Sequence, residues 1–252
     1  MIFFLLPAYN EEKNIKILLS DISNFYKKKN ILLHIVVIND GSSDDTYKNI
    51  KITKKKIFHK LTVINHKINM GLGLTLKTGF NHILKIAKPD DIIITMDSDN
   101  SHTPKNSYLL IKKINEGYDV VIASRYSKLS KTYGLSYLRK ILSFISCIIF
   151  KIFFPIKNVT DYTCGFRAFK IKKLRNIMLN KDFFSENGFS VSADIILKLK
   201  LSKMKIYFAE IPLQLRYDLK RGESKMKITK TIIQTIKLMV LRRFFYFVKV
   251  KL

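Results

Sequence analysis

Cysteine, acidic side chains and long apolar runs are all scarce in this chain of 252 residues. The two cysteines, Cys147 and Cys164, lack the spacing of a thiolate metal site, so we expect a reducing compartment. No run reaches the roughly 18 uninterrupted apolar residues of a membrane-spanning helix. The first residues pass from an apolar strand into a turn without a basic leader, so no signal peptide is expected.

Glycine is also sparse, and its placement argues against a dinucleotide-binding protein. Gly71 and Gly73 stand close together, but they follow the third predicted strand instead of the first. Their distance to Gly79 does not match the fingerprint of that protein class either. Hydride-transfer chemistry is therefore not expected.

The chain has 46 lysines and arginines but only 19 aspartates and glutamates, so its formal net charge is +27. Such a surplus favours a polyanionic partner, which could be nucleic acid, anionic lipid headgroups or a phosphorylated substrate. A non-enzymatic nucleic-acid-binding module is disfavoured, because the aromatic residues are not interleaved with basic ones. The lysine runs at 27–29 and 54–56 are typical of solvated faces, so we ascribe only the carboxyl-terminal share of the charge to function.

Apolar strand-like segments alternate with helical ones through the first half of the chain. The predicted strands are 2–6, 33–38, 61–65, 92–96 and 119–124. Asn10 is a candidate cap for the first helix, and the segment 69–73 is predicted to open another helix that continues to Phe80. Repeated strand–helix units predict an α/β fold with a mostly parallel sheet and helices on both faces.

Two carboxylates, Asp97 and Asp99, follow the fourth predicted strand directly. Ligands bind beyond the carboxyl ends of the strands in such sheets. Two carboxylates placed there repel each other unless a cation joins them, and oxygen ligands suit Mg²⁺ or Mn²⁺. Such an ion commonly takes its remaining ligands from water and a diphosphate. The alternative is a solvated turn that merely ends the strand.

A series of short motifs appears in a fixed order along the chain: PAYNEE at 7–12, VINDGSSDDT at 37–46, NMG at 69–71 and DSD at 97–99. This series resembles family 2 glycosyltransferases. The later motifs ASRY at 123–126, DYTCGFRAF at 161–169 and GESKM at 222–226 resemble the dolichol-phosphate mannosyltransferase branch, which acts on polyprenyl phosphates. The resemblance implies a single Rossmann-like nucleotide-diphospho-sugar transferase domain, of the GT-A type, over residues 1–227.

Family positions carried over to this sequence give the expected site. The expected nucleotide-sugar contacts are Pro7, Tyr9, Glu11, Ile38, Asp40, Asp97, Ser98 and Asp99. The expected acceptor-phosphate contacts are Arg125, Arg139, Ser143, Arg221 and Lys225. The expected ligands for Mg²⁺ or Mn²⁺ are Asp97, Asp99 and Ser101. The residues expected to act in catalysis are Asp97, Asp99, Arg125 and Asp194.

The sequence departs from the family pattern at several of these positions. Asn39 stands where an Asp is usual, and an uncharged amide still forms hydrogen bonds there. Ser101 replaces a Gln that helps to bind the metal, so the metal site is expected to be weaker or more hydrated. In the loop 217–225 the expected Arg is Leu219, which leaves Lys220, Arg221 or Lys225 to supply the charge that faces the phosphate.

The chemistry of the acceptor decides whether a general base is needed. A sugar hydroxyl must lose a proton, whereas a phosphate monoester is already anionic near neutral pH. Positioning and stabilisation of the leaving group then suffice, and direct attack inverts the anomeric centre. Asp194, in SAD at 192–194, stands where the family has Gln-x-Glu. It is either catalytic, a support for other groups, or simply a polar residue at the start of a helix.

Two apolar, basic segments predict contact with a membrane surface. The segment 137–156 is too short to span a bilayer comfortably and fits an amphipathic helix in the membrane interface, with a buried core helix as the alternative. The tail 228–252 mixes large apolar residues with lysines and arginines, as basic amphipathic surface helices do.

Together these features predict a metal-dependent, inverting glycosyltransferase. We expect it to move a hexose, mannose or glucose, from a GDP- or UDP-sugar to dolichyl or undecaprenyl phosphate. It would work as a peripheral protein at the cytoplasmic face of an anionic membrane, with or without a membrane-protein partner. The alternative is a transferase acting on a saccharide hydroxyl in envelope polysaccharide or lipopolysaccharide assembly.

Overall fold

The computed structural model describes residues 1–180, 182–222 and 228–250, with the side chains described as far as residue 244. The strands are β1 Ile2–Ala8, β2 Leu33–Asn39, β3 Lys60–Asn65, β4 Ile92–Thr95, β5 Val120–Ser124, β6 Lys131–Tyr133, β7 Arg167–Lys170, β8 Phe208–Pro212 and β9 Gln214–Arg216. The helices are α1 Ile15–Lys27, α2 Thr46–Lys54, α3 Leu72–Ile86, α4 Pro104–Asn115, α5 Tyr137–Phe153, α6 Ile171–Met178, α7 Val191–Leu201 and α8 Ile228–Val250.

A seven-stranded sheet in the order β3-β2-β1-β4-β7-β5-β8 forms the centre of the fold, as the strand–helix alternation predicts. The strands β1, β2 and β4 are apolar almost throughout because helices cover both faces of a parallel sheet. Helix α1, for example, buries Ile15, Leu18, Leu19, Ile22 and Tyr26. Each such aliphatic side chain stabilises the fold by about 1.5–3 kcal/mol.

The sheet differs from the sequence prediction at β7, which was read only as part of the motif 161–169. This four-residue strand runs antiparallel between β4 and β5 and pairs Ala168 with both Ile94 and Val121. Because of this insertion, the ends of β4 and β5 are separated by the loop that leads into β7. The loop carries Asp161, Thr163 and Gly165 into the region beyond the strands.

Asn10 does not cap the first helix, so that prediction is wrong. The helix begins only at Ile15, after Asn14. Asn10 has a positive φ of 52° and its side-chain oxygen accepts a hydrogen bond from the backbone N–H of Ser43. It therefore joins the loop after β1 to the loop after β2, which brings two of the predicted motifs together.

The sheet order places the carboxyl ends of β2, β1 and β4 side by side. In the parallel register Ala8 lies beside Asn39, and Leu5 beside Thr95. The residues that follow, Tyr9, Asp40 and Asp97, consequently emerge at one edge of the sheet. A separate two-stranded parallel ribbon of β6 and β9 leads into the loop that ends at Gly222.

Candidate functional site

A cavity of about 600 Å³ lies beyond the carboxyl ends of the strands. The loops after β1, β2, β4 and β5 line one part of it, and α5, α8 and Lys220 line the rest. We call the part around Glu11, Asp40, Asp97 and Asp99 the acidic end, and the part around Arg125, Arg139 and Ser143 the basic end. Both are walls of the same cavity.

Asp97 is the half-buried member of the acidic pair. Its carboxylate lines the cavity, and no hydrogen bond or ion pair to it is found among the described residues. Burial raises the pKa of Asp97, His102 lowers it and Asp99 raises it again, with a net rise. Ser98, between the two carboxylates, donates a 2.7 Å hydrogen bond from Oγ to the carbonyl oxygen of Pro7. That bond fixes the turn after β4 against the end of β1.

Asp99, in contrast, is satisfied at both carboxylate oxygens. Oδ1 accepts hydrogen bonds from the Ser101 hydroxyl at 2.6 Å and the Ser101 N–H at 3.1 Å. Oδ2 lies 2.7 Å from Nζ of Lys220, a side chain only 9% exposed. Burial raises the pKa of Asp99, but Lys220 and His102 outweigh it and lower that pKa. Lys220 thus acts as a positive counter-charge at the acidic end.

The residues at the acidic end fit a divalent cation of the Mg²⁺ or Mn²⁺ kind. Asp97 offers an unpaired carboxylate beside Asp99, and the buried Nδ1 of His102 has no hydrogen-bond partner. Among the residues described, no cluster of three or more His, Cys, Asp or Glu side chains could hold a metal by itself. Such an ion would need water and a diphosphate to complete its shell. Ser101 lies next to Asp99 and orients that carboxylate.

Four of the predicted nucleotide contacts line the cavity beyond the first two strands: Pro7, Tyr9, Glu11 and Asp40. Glu11 accepts a 2.6 Å hydrogen bond from the amide of Asn14. The fifth, Ile38, is completely buried within β2 and does not line the cavity. Ile38 lies inside β2, which is buried on both faces, whereas Asp40 follows the end of the strand.

Asp40 organises the loop after β3, a role that the motif comparison did not indicate. Its oxygens accept hydrogen bonds from the N–H groups of Met70 and Gly71, each at 2.9 Å, and Oδ1 lies 2.7 Å from Nδ1 of His66. Gly71 has a φ of 85°, which favours glycine. The NMG motif is therefore held against the second strand through the Asp40 carboxylate.

Arg125 enters the basic end at the end of β5 and is held from behind by Asp161. Nε and Nη2 donate to the two carboxylate oxygens at 2.8 and 2.7 Å, and Nη2 also donates to Thr163 at 2.5 Å. Asp161 is fully buried, so this planar pair is rigid. Burial raises the pKa of Asp161, but the guanidinium outweighs it and lowers that pKa. Nη1 of Arg125 has no hydrogen bond to a described residue.

Arg139 and Ser143 lie one turn apart on α5 and both line the cavity. Arg139 donates from Nη1 to the Tyr217 hydroxyl at 2.7 Å, and the Ser143 hydroxyl lies 2.5 Å from that of Tyr126. The side chain of Arg221 is exposed and is not part of the cavity wall. The remaining predicted phosphate contact, Lys225, lies outside the described residues.

Asp194 does not line the cavity, although its neighbours Ser192 and Ala193 do. It is fully buried in α7, where Oδ1 lies 2.6 Å from Nε of Arg242 and Oδ2 lies 3.0 Å from Nζ of Lys198. The two cations balance its charge. Nothing in its sequence neighbourhood indicated Arg242, which lies 48 residues further along the chain.

Helices α5 and α8 expose large apolar side chains on their outer surfaces. On α5 the most exposed are Tyr137, Leu138, Phe144 and Ile152; on α8, leaving aside Ile236 in the cavity wall, they are Ile233, Val240 and Phe244. Neither these helices nor any other in the described part of the chain is both long and apolar enough to cross a bilayer. Of the predicted segment 137–156, the helix takes up 137–153.

Comparison with known proteins agrees with the geometry. A dolichol-phosphate mannosyltransferase of Pyrococcus furiosus is 30% identical over 234 residues, covering 92% of this chain and 61% of that protein. A UDP-N-acetylglucosamine–dolichyl-phosphate N-acetylglucosaminyltransferase of Methanococcus voltae is 26% identical, covering 90% of this chain and 91% of that protein.

Solved structures share the fold. A glucosyl-3-phosphoglycerate synthase from Mycobacterium tuberculosis, in complex with Mn²⁺, UDP and phosphoglyceric acid, superposes with a TM-score of 0.68 at 19% identity. The match covers 96% of this chain and 78% of that one. Residues 4–178 match the family model described as glycosyl transferase family 2. This confirms the resemblance seen in the motifs, and the chain belongs to glycosyl transferase family 2.

Proposed function

We propose that this protein is a metal-dependent, inverting glycosyltransferase that moves a hexose from a nucleoside diphosphate sugar to a polyprenyl phosphate. The observation that supports this most strongly is the single cavity with an acidic end, a basic end and apolar helices beside them. The acidic end suits a metal-bound diphosphate. The basic end suits a phosphate monoester, and α5 and α8 suit the apolar chain attached to it.

The state of the carboxylates supports a phosphate acceptor over a hydroxyl acceptor. Of the acidic side chains that line the cavity in the described part of the chain, Glu11 accepts a bond from Asn14, and Asp40 accepts two backbone N–H groups. Asp99 is paired with Lys220. Asp97 is the carboxylate left over, and it belongs with the cation. None of these carboxylates is left to act as a general base toward a sugar hydroxyl, whereas an anionic phosphate needs none.

The chain's own residues divide the reaction between them. Pro7, Tyr9, Glu11 and Asp40 bind the nucleoside, while Asp97, Ser98, Asp99 and Ser101 orient the diphosphate end of the donor. Asp97 and Asp99 would hold a divalent cation, which would supply positive charge to the diphosphate leaving group. Arg125, which lines the cavity, and Arg139 with Ser143 hold the acceptor phosphate for attack at the anomeric carbon.

The apolar outer surfaces of α5 and α8 support peripheral attachment to an anionic membrane. Their exposed side chains can enter the headgroup region while lysines and arginines contact the lipid phosphates. The relatives from Pyrococcus and Methanococcus are named for dolichyl-phosphate substrates, which lie in membranes. The proposed attachment is at the cytoplasmic face of the membrane, where nucleotide sugars would reach the cavity.

A transfer assay with a lipid acceptor tests this function. Purified protein, Mn²⁺ or Mg²⁺, a short polyprenyl phosphate and a panel of radiolabelled GDP- and UDP-sugars should give organic-soluble label from one donor. Asp99→Ala should reduce the rate by roughly 10²–10³-fold or more, since it removes charge stabilisation of the leaving group. The exposed Asp45 provides the control, and Asp45→Ala should leave the rate unchanged. Transfer only to a saccharide hydroxyl would overturn the proposal in favour of envelope polysaccharide assembly.

A further inference from the structure

Helix α8 forms part of the cavity wall, although most of its described side chains are exposed or only half-buried. Its side chains Ile228, Thr231, Ile232, Thr235, Ile236 and Met239 line the cavity. Of its described residues only Leu238 is fully buried, whereas Ile233 and Val240 on the outer face are 67% and 66% exposed. Apolar burial alone therefore anchors this helix weakly.

Two consecutive arginines near the end of the described side chains join α8 to neighbouring helices through hydrogen bonds. Arg242 donates from Nε to Oδ1 of Asp194 in α7 at 2.6 Å. Arg243 donates from Nη1 to the carbonyl oxygen of Phe153, at the end of α5, at 2.7 Å. The pair thus connects α8 to the two helices that flank it.

Asp194 depends on this contact. Its side chain is 1% exposed, and a buried carboxylate without a partner is costly. Lys198, one turn further along α7, lies 3.0 Å from Oδ2, but Oδ2 makes no hydrogen bond. Nζ of Lys198 instead donates to the carbonyl oxygens of Asp182 and Phe183 and to Ser185. Arg242 is therefore the group that donates a hydrogen bond to this buried charge.

We propose that Arg242 is a positioning residue that, through its ion pair with Asp194, seats α8 as the wall against which the acceptor's apolar chain binds. Asp194 then serves acceptor binding from outside the cavity and takes no proton from the substrate. The role assigned to the acceptor rests on the proposed function, whereas the seating of α8 does not.

Hydrogen exchange on the protein without any substrate tests the seating. Arg242→Met and Asp194→Asn should each accelerate amide exchange in residues 228–244, with the exchange of β1 and β2 unchanged. Lys200→Met, which alters an exposed lysine on the same helix as Asp194, should leave α8 as it is in the wild type. Unchanged exchange in α8 of the Arg242→Met protein would overturn the proposal, whatever the acceptor is. Arg242 is at the more exposed end of the pair, so this variant is testable even where Asp194→Asn fails to fold.

Kinetics then separate positioning from catalysis. Arg242→Met should raise KM for the polyprenyl phosphate about tenfold, a change of about 1.4 kcal/mol in binding, with kcat at saturating acceptor nearly unchanged. Asp194→Asn should have a similar effect, the double variant should be no worse than either, and Arg242→Lys should recover part of the loss. Loss of kcat in Asp194→Asn with normal kinetics in Arg242→Met would show instead that Asp194 acts as a base.

Discussion

The acidic and basic ends of the cavity are built in different ways. At the acidic end most functional side chains follow directly from β1, β2 and β4, and backbone groups of a neighbouring loop hold one of them, as Met70 and Gly71 after β3 hold Asp40. At the basic end Arg125 follows β5 and the other side chains stand on α5, and side chains distant in sequence hold them, as Asp161 holds Arg125. The sheet therefore fixes the positions of most side chains at the acidic end, whereas individual side-chain pairs fix those at the basic end.

This difference has a consequence for mutational sensitivity. Residues positioned by the sheet should lose function when substituted while the fold is kept. Residues positioned by buried ion pairs should lose function and stability together, because removing one partner leaves an uncompensated charge. The following experiments test that distinction from the largest expected effect to the smallest.

The variant Asp161→Asn should show the largest effect on stability. Asp161 is fully buried, and its loss leaves the Arg125 guanidinium without its partner, at a cost of about 3–5 kcal/mol. The midpoint of urea denaturation should fall accordingly. The matched control is Asp218→Asn, which breaks the exposed pair with Arg216 and should shift the midpoint little. Equal midpoints for the two variants would show that the buried pair with Arg125 contributes no more to stability than an exposed pair does.

The variant Phe144→Ser/Ile152→Ser tests the outer surface of α5. These side chains are 53% and 68% exposed, and their entry into a membrane interface should contribute about 1.5 kcal/mol each or more. Cosedimentation with anionic vesicles should therefore weaken by roughly a hundredfold in the double variant. Ile68→Ser, which changes a 71% exposed residue in the loop after β3, should bind vesicles as the wild type does. Equal losses in the two proteins would show that α5 has no special part in attachment.

Most side chains of the acidic end could be predicted because each of them closely follows an apolar strand in the sequence. Asp40 and Asp97 each come just after an apolar strand, and parallel strands bring their carboxyl ends together. One of the predicted nucleotide contacts, Ile38, is buried inside β2 and does not line the cavity. The sequence also could not show that the Asp40 carboxylate is engaged by the loop after β3.

The basic end was predicted less completely because its contacts span long distances in sequence. The strand β7 was missed, since a four-residue antiparallel insertion carries no alternation of its own. The Arg242–Asp194 pair joins residues 48 apart, and no periodicity links them. The same limit applies once at the acidic end, where Lys220 was one of three candidates for the charge in its loop and only the folded chain brings it to Asp99.

The contact between Lys220 and Asp99 combines a carboxylate that follows a strand with an ion-pair partner distant in sequence. The variant Lys220→Met tests the role of this contact. The ammonium lies where it competes with a divalent cation for Oδ2 of Asp99, so its removal should tighten Mn²⁺ binding without nucleotide by roughly tenfold. Electron paramagnetic resonance titration of free Mn²⁺ measures this directly. The exposed Lys16 supplies the control variant Lys16→Met, for which no change is expected. Weaker Mn²⁺ binding in Lys220→Met would mean that Lys220 orders Asp99 for the metal and does not compete with it.

A buried histidine at the amino end of β2 gives the smallest expected effect, and it appears as a pH dependence of stability. Burial, followed by Lys60 and His82, lowers the pKa of His34 from 6.5 to about 4. The unfolded chain therefore takes up the proton first, and stability falls as the pH drops below about 6.5 until it levels off near 4. Relative to His34→Asn, the wild type should lose about 1 kcal/mol of unfolding free energy between about pH 6.5 and 5.5. Urea denaturation of both proteins at these two values measures the difference. A difference that stays constant with pH would mean that His34 is protonated in the fold, and that the amino end of β2 tolerates a buried charge.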